Sequence, residues 1–506
     1  MWAGVGLPAA VAATLCLGAT TGFVMTRRRS LLLLAFGLLA GIIVGNAAAG
    51  REAATQTAAI PDGRVTITAV ALTDPAAGYS SWSLVKPLAL WRDPVWSEWH
   101  GPTLLVRGMP DDVLAGETLL IDGSIEPRSE VFRGRSVGGV MTVRGASRIA
   151  AASNPLLALG NIMRRHVLGS LDAATHSPPG ALLAGFLIGD VSRLPEEDRG
   201  ALRSAGLSHF VAVSGSNVAL FLGAWWIASA PLRLSPRQRA VFGIVGIAVF
   251  AVITRWEPSV IRASVMAALV LIGRWAGRPV TPWTAFGGAV ALSLLVAPGL
   301  AGDFGFGLSV AATGGIIAGG PLWAGRSPRP VWAVLGATIS AQAAVAPLLL
   351  IWFGSIPLMA PVTNLLAAPV VALSTAVGGM GAVLHLGFLV RAGTMLASLV
   401  LAIARTAAEL PQLDLRQTLA LAVPALLAVW IGPLRPVLLG VVALIVTVSI
   451  APATLPGVPT VHFLDVGQGD ATLFVGPSGG TVLVDGGPDP GVLRSHLREF
   501  GIRRID

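Results

Sequence analysis

The chain has 506 residues, 54% of them hydrophobic and 12% charged, with a formal net charge of +9. With a mean hydropathy of +0.74, this composition excludes an ordinary soluble enzyme and indicates a polytopic membrane protein. The single cysteine, Cys16, excludes an intramolecular disulfide, and the only lysine, Lys86, precedes Pro87, so the Gly-Lys-Ser/Thr of a phosphate-binding loop is absent.

The first fifty residues read as two transmembrane helices, 5–25 and 31–49, separated by Arg27, Arg28 and Arg29. Arginines between two short spans belong in the cytoplasm, which puts the N-terminus and the region after residue 49 outside. A signal-peptidase site at 47–49 is the other reading, but two spans and an arginine hairpin suit a permanent anchor better.

Residues 51–150 are polar and punctuated by Gly and Pro, and the short runs 65–72, 103–108, 117–125 and 139–143 alternate as strands of a small soluble β domain of barrel type. It carries Trp82, Trp91, Trp96 and Trp99, followed by Arg128, Arg133, Arg135, Arg144 and Arg148. Interleaved aromatics and arginines can stack bases and hold phosphates of a single strand. Equally, the tryptophans can fill a small core or touch the membrane interface, with Asp111, Asp112, Glu117, Glu126 and Glu130 balancing the arginines.

Residues 151–205 hold an amphipathic helix at 156–173, the breaker Pro178-Pro179-Gly180, a short apolar helix ending at Gly189-Asp190, and a polar helix from about residue 195. Ser192 with Glu196, Glu197 and Asp198 fits the start of that last helix, whose dipole favours negative charge. These segments are too short or too polar to cross a bilayer and are expected to lie on its surface.

The stretch GLSHFVAVSGSNVALF, residues 206–221, opens an apolar segment to about residue 230, yet contains His209, Ser214, Gly215, Ser216 and Asn217. Polar groups at membrane depth must face protein or water, so the run marks tight helix packing or a broken helix lining a cavity. A Ser-His catalytic pair is the third reading. Residues five apart on a helix point about 140° from each other, and no G-x-S-x-G elbow surrounds Ser214.

Further spans are expected at 208–230, 240–255, 258–274, 280–298, 303–321, 330–352, 357–386, 389–408, 417–432 and 436–452, which with the first two makes about twelve. Arg233, Arg237 and Arg239, then Arg274 and Arg278, Arg326 and Arg329, Arg391, and Arg435 fall in every second loop, on the side of Arg27 to Arg29. Arg255, Arg405 and Arg416 break the alternation. Arg262, just inside a helix that Pro258 can start, needs a partner or an aqueous path. Asp303, Gly305, Gly307 and Ser309 weaken one segment, and Pro347, Pro357, Pro361, Asn364 and Pro369 interrupt others, as in kinked packing or in transporters. Finally, VHFLDVGQGDATLFVGPSGGTVLVDGG reads as three short strands, with a helix over 491–500.

On GLSHFVAVSGSNV, Pro258 with Arg262, residues 364–369, FLDVGQGD and LVDGG, the chain resembles ComEC-type competence proteins over almost its whole length. The resemblance implies a polytopic α-helical membrane protein of about twelve spans, with an inserted small β-barrel (OB-like) domain outside and a truncated metallo-β-lactamase-like C-terminal segment. The implied divisions are 1–50 for two anchor helices, 51–150 for the OB-like domain, 151–205 for interfacial helices, 206–455 for the channel domain and 459–506 for the start of the hydrolase-like domain. It implies a plasma-membrane channel passing single-stranded DNA inward, with a DNA receptor and a separate ATP-driven translocase as partners. It makes Asp190, His209, Ser214, Gly215, Asn217, Arg262 and Asn364 conduit residues, and raises the weight of Trp82, Trp91, Trp96, Arg133 and Arg135 as a strand-binding face. Asp465, Gln468, Asp470 and Asp485 belong to the hydrolase-like motif, but the HxHxDH metal run of that fold does not occur before Asp506. No metal, cofactor or chemistry is therefore expected on this chain. The competing readings are a small-molecule or lipid transporter and, if the chain is a fragment, a membrane-anchored metal-dependent nuclease.

Overall fold

Six strands open the computed structural model, which describes residues 60–414 and 459–505 apart from short stretches within both ranges. They are β1 (Gly63–Ala71), β2 (Trp82–Arg92), β3 (Val95–Glu98), β4 (Leu104–Arg107), β5 (Thr118–Phe132) and β6 (Arg135–Ala150). Along β1, Ile67, Ala69 and Ala71 are buried at every second position, the period-two pattern of a strand with one face on a core. The sheet order is β1-β5-β6-β4-β2-β3, and a further β1–β2 pairing closes five of the strands into a ring, with β4 and β6 parallel. Ile67, Val85, Leu104, Val106, Leu119, Ile121, Ile125 and Met141 form the core of this domain. The strand runs read from the sequence omit β2 and β3, because the tryptophans there stand as base-stacking, core or interface candidates and not as strand formers.

Twelve helices follow among the described residues. The first five are α1 (Pro155–Ala174), α2 (Pro178–Ile188), α3 (Glu196–Ser204), α4 (Ser208–Val211) and α5 (Gly215–Ala228). Next come α6 (Pro236–Ile253), α7 (Pro258–Trp275), α8 (Pro282–Val296) and α9 (Phe304–Trp323). The last three are α10 (Arg329–Phe353), α11 (Ala360–Leu384) and α12 (Gly387–Ala408). Their ends are written in the sequence. Asn154 caps α1 by accepting from the Leu156 and Leu157 N–H groups, Ser235 and Gln238 form a capping box on α6, and Gly189 closes α2 in the left-handed conformation at φ +72°.

α2 does not lie open on a surface. Leu182, Leu183, Phe186 and Ile188 are all buried, because a helix apolar on every side has no face to give to water. Nor does Ser192 start α3: Pro195 occupies the cap position, and Ser192 is bonded instead to Asp190, whose Oδ1 accepts from its N–H at 3.0 Å and its hydroxyl at 2.6 Å.

α6, α7, α9, α10, α11 and α12 are long and apolar enough to cross a membrane. The expected span 208–230 is instead divided between α4 and α5. The 14 residues of α5 and the 15 of α8 reach only about 21 and 22 Å at 1.5 Å per residue, short of a hydrocarbon core of about 30 Å. The expected spans 5–25, 31–49, 417–432 and 436–452 lie outside the described residues.

Two units divide the chain. In the first, which holds the β domain, α1, α2 and α5 to α9, Val218 of α5 packs with Phe250 of α6 and Val260 of α7, while Phe286 and Val290 of α8 pack with Phe306 and Val310 of α9. Also in this unit α11 and α12 touch backbone to backbone: a Cβ on Gly393 would lie 2.6 Å from the Gly378 Cα, and Ser374 donates to the Gly393 carbonyl at 2.8 Å. Gly393→Val should therefore cost about 1–3 kcal/mol through forced separation of the helices. Gly223→Ala, which meets nothing within 4 Å, should be neutral or slightly stabilising. Melting midpoints of the purified variants check the contrast; equal losses would refute the close approach.

In the second unit, Arg405 of α12 pairs with the buried Asp198 of α3 at 2.7 Å, Thr363 donates to the Ala205 carbonyl at 2.7 Å, and Ser355–Ile356 (β7) pairs with Leu413–Asp414 (β8). The expected C-terminal strands are present as Thr460–Leu464 (β9), Ala471–Val475 (β10) and Thr481–Val484 (β11), antiparallel around Leu464, Val466, Leu473 and Val475. Most of the helix expected over 491–500 lies outside the described residues.

Candidate functional site

Two groups of buried polar side chains occupy the first unit, and their charge balance separates them. The first joins the β domain to the helices. Asp74, in the loop after β1, has its Oδ2 2.9 Å from Arg164 Nε, an ion pair without an aligned hydrogen bond. Arg255, in the turn after α6, donates through Nε to both Asp74 oxygens at 3.0 and 2.9 Å and through Nη2 to Asn161 Oδ1 at 2.6 Å. Asn161 in turn donates to the Ala115 carbonyl at 3.2 Å. Arg164 Nη1 donates to the carbonyls of Ile188 and Ile253, the last residues of α2 and α6, at 2.7 and 3.0 Å, and its Nη2 lies 3.6 Å from Asp190 Oδ2. Beside this group Glu117, fully buried at the start of β5, pairs with Arg148 and Arg165.

Asp74 and Asp190 thus face Arg164 and Arg255, two charges against two. Burial alone would raise the Asp74 pKa, but the two guanidinium groups and the Ala115 N–H reverse that and hold it below 3.8. A largely buried, charge-balanced cluster of this kind fixes one element against another. It also explains Arg255, which broke the arginine alternation: a carboxylate 181 residues away neutralises it. Arg405, the second exception, has Asp198. Arg416 lies outside the described residues.

The second group lies among apolar helices and is not balanced. Asn217, buried near the start of α5, donates through Nδ2 to the Phe186 carbonyl in the last turn of α2 at 2.9 Å. A Cβ on Gly215 would sit 3.4 Å from the Ala263 Cβ of α7, an ordinary contact, so the position faces α7 without requiring glycine. Arg262, only 4% exposed, reaches from α7 to α9, where Nε and Nη2 donate to Ser309 Oγ at 3.1 and 2.6 Å and Nη1 to Thr313 Oγ1 at 2.6 Å. Ser264 Oγ, Ser293 Oγ and Asn364 Oδ1 are buried with no hydrogen-bond partner among the described residues. Each is costly in an apolar surround unless something else meets it.

The structure therefore places Gly215 against Ala263 of α7, next in sequence to Arg262, sets Asn217 against the end of α2, and places Asp190 with the arginines of the junction. His209 is exposed in α4, its ring tilted on Phe210 with centroids 4.2 Å apart. Asn364 is buried near the start of α11. Trp91 and Trp96 form a pair with ring centroids 5.2 Å apart at the β2–β3 edge, Trp96 being exposed. Trp82 is half-buried against Leu84, Leu105 and Val137, so part of the tryptophan set fills core and part faces outward. Arg135 stands opposite Phe132 in the β5–β6 hairpin, and Arg133 lies outside the described residues. Asp485 sits at φ +57° and accepts from the Gly486 and Gly487 N–H groups at 2.6 and 3.1 Å, a turn-shaping role. Ser214, Asp465, Gln468 and Asp470 lie outside the described residues. Sequence reasoning missed Asp74, Asn161 and Arg164; the available signal was the Arg164-Arg165 pair, which puts adjacent charges about 100° apart on an amphipathic helix.

Among known proteins, the chain is 27% identical over 231 residues to an uncharacterized protein, YcaI, of Escherichia coli K12, an alignment covering 42% of this chain and 30% of that protein. The chain thus spans about a third of the length of the curated relative it matches. No solved structure matches it. The family model described as Competence protein matches residues 186–452, more than half of the chain, and takes in α5 to α12 with Asn217, Arg262, Ser309, Thr313 and Asn364; the chain belongs to the competence protein family.

Proposed function

We propose that this protein is a multi-pass component of the plasma membrane that takes part in DNA uptake, passing a single strand inward through its helical unit. The observation that carries the reading is the unbalanced polar group of Arg262, Ser309 and Thr313, with Asn217 buried separately on α5, all among apolar helices inside the family-matched region. A polyanion needs cations and hydrogen-bond donors along its path, and membrane proteins keep such residues at depth where they face a path or a partner. The balanced junction serves a different end, since its charges cancel.

The five-strand ring with its parallel β4–β6 pair supports an OB-like domain on the outer side. There the exposed Trp96, its ring tilted at 57° to that of Trp91, is a platform for a base, while Arg133 and Arg135 supply charge. The reading assigns no chemistry to this chain. Strand separation and ATP-driven pulling fall to a receptor and a translocase on other polypeptides, since Lys86-Pro87 cannot form a phosphate loop.

Asn217→Leu tests the reading. The leucine keeps the volume and removes the donor to the Phe186 carbonyl. Nuclease-protected uptake of labelled DNA should fall to background, while the variant accumulates in the membrane and DNA still binds the cell surface. Loss of the protein itself would assign Asn217 to helix packing and remove this support.

A further inference from the structure

Arg262 is bonded to two hydroxyls and a thioether, and among the described residues to no anion. A guanidinium group carries five N–H donors and accepts nothing. Nε and Nη2 both donate to Ser309 Oγ, and Nη1 donates to Thr313 Oγ1 and faces Met266 Sδ at 3.6 Å. Ser309 Oγ, with both lone pairs directed at the arginine, has its own O–H left to give. Thr313 likewise retains an O–H, and among the described residues neither hydroxyl donates to an acceptor. No carboxylate pairs with Arg262 among the described residues either. This sets it apart from Arg164, Arg255 and Arg405, each of which faces an aspartate. Arg262 and Met266 lie one turn apart on α7, as do Ser309 and Thr313 on α9, so two helical ridges present one cation and two hydroxyls to each other.

We infer that Arg262, Ser309 and Thr313 form a binding site for a singly charged oxyanion, and that its ligand is a phosphodiester. The missing partner must supply several acceptor lone pairs, which an oxyanion does, and a negative charge, since an uncompensated cation in an apolar surround is expensive. One site charge selects one ligand charge: a phosphodiester gives a neutral complex, whereas a dianion leaves a net negative charge in the same surround. The planar fork of arginine suits two oxygens of one phosphorus, and the hydroxyl protons complete the set. Ser309 and Thr313 are only half-buried, so the hydroxyl side of the cluster is the side a ligand reaches. Binding of an oxyanion stands on this donor count alone; identifying it with the backbone of a transported strand rests on the uptake reading.

The test uses the full chain in phosphatidylcholine nanodiscs and follows its melting midpoint against dimethyl phosphate, with sulfate at equal ionic strength as the dianion. Dimethyl phosphate should stabilise the wild type more than sulfate does, and Arg262→Gln should weaken that effect by about tenfold or more, the loss of one or two charged hydrogen bonds. Ser309→Ala with Thr313→Ala, which leaves the cation in place, should weaken it less. Equal response of wild type and both variants overturns the site. A second arm compares oligothymidylate with the same oligomer on a methylphosphonate backbone, and a third replaces a fraction of the lipid with phosphatidylglycerol. Stabilisation by oligothymidylate alone, dependent on Arg262, supports the strand as the source. Dimethyl phosphate dependence on Arg262 without any oligonucleotide effect keeps the site and overturns the strand as its ligand, and an effect of phosphatidylglycerol instead makes the phosphodiester a lipid's.

Discussion

Replacing Arg164 with methionine should lower the stability of the purified protein by about 3–5 kcal/mol, the range for breaking a buried ion pair from one side. The size follows from what the guanidinium holds. Its Nε stands 2.9 Å from Asp74, its Nη2 3.6 Å from Asp190, and its Nη1 donates to the terminal carbonyls of α2 and α6. Those helix ends carry partial negative charge of their own. Methionine fills much of the space but leaves Asp190 and the two carbonyls without their cation, and Asp74 with Arg255 alone. Lysine restores the charge but, as a point donor, cannot serve four acceptors spread around a planar fork, so Arg164→Lys should fall between the two. Arg193→Ala is the matching control. Its pair with Asp172 is open to solvent on both sides, 44% and 35% exposed, and its loss should cost less than about 1 kcal/mol. Melting of all three variants in the same detergent decides the point. A methionine variant as stable as the alanine control would mean that Arg164 does not hold the junction.

How much of this was legible in the sequence depended on distance along the chain. Helices α6 to α12 could be read because each is a local apolar run with its own start signal, as at Ser235-Pro236 and Pro258. β1, β4 and the first part of β5 were equally legible, being short alternating runs between turns. Arg262 drew notice for the same reason, since one charge in an apolar run is visible without knowing its partner. The junction was not legible. Asp74 and Arg255 are 181 residues apart, and Arg164 reaches a carbonyl 89 residues away. Nothing local marks Asp74, in a polar loop, as buried. Arg255 registered only as an exception to the arginine alternation, and the exception had a cause that only the tertiary contact reveals. The break between α4 and α5 was hidden differently: apolar residues continue across it, and hydropathy does not report helix continuity.

Acid should loosen the same junction, with a sign fixed by Asp74. Burial acts to raise its pKa, yet Arg164, Arg255 and the Ala115 N–H outweigh burial, and the folded value lies below 3.8. A carboxylate with a depressed folded pKa stabilises the fold fully above its unfolded value of 3.8, and that contribution is lost as pH falls through the folded value. Other carboxylates titrate in the same window, so the informative quantity is a difference. At neutral pH Asp74→Asn leaves Arg164 and Arg255 buried with one carboxylate fewer, and should cost about 3–5 kcal/mol. As pH falls below the unfolded value of 3.8 the stabilisation from the wild-type Asp74 begins to be lost, so the gap between the two proteins should narrow. Melting midpoints of wild type and Asp74→Asn, measured from pH 7 down to the acid limit of the detergent system, give that gap directly. A gap that stays constant through 3.8 would mean that the folded and unfolded pKa values of Asp74 do not differ, and no gap at neutral pH would mean that the ion pair with Arg164 and Arg255 carries none of the stability assigned to it. A gap that closes only in acid, with Arg255→Gln showing the same closure, would identify one carboxylate as the acid-sensitive member of the junction between the β domain and the helices.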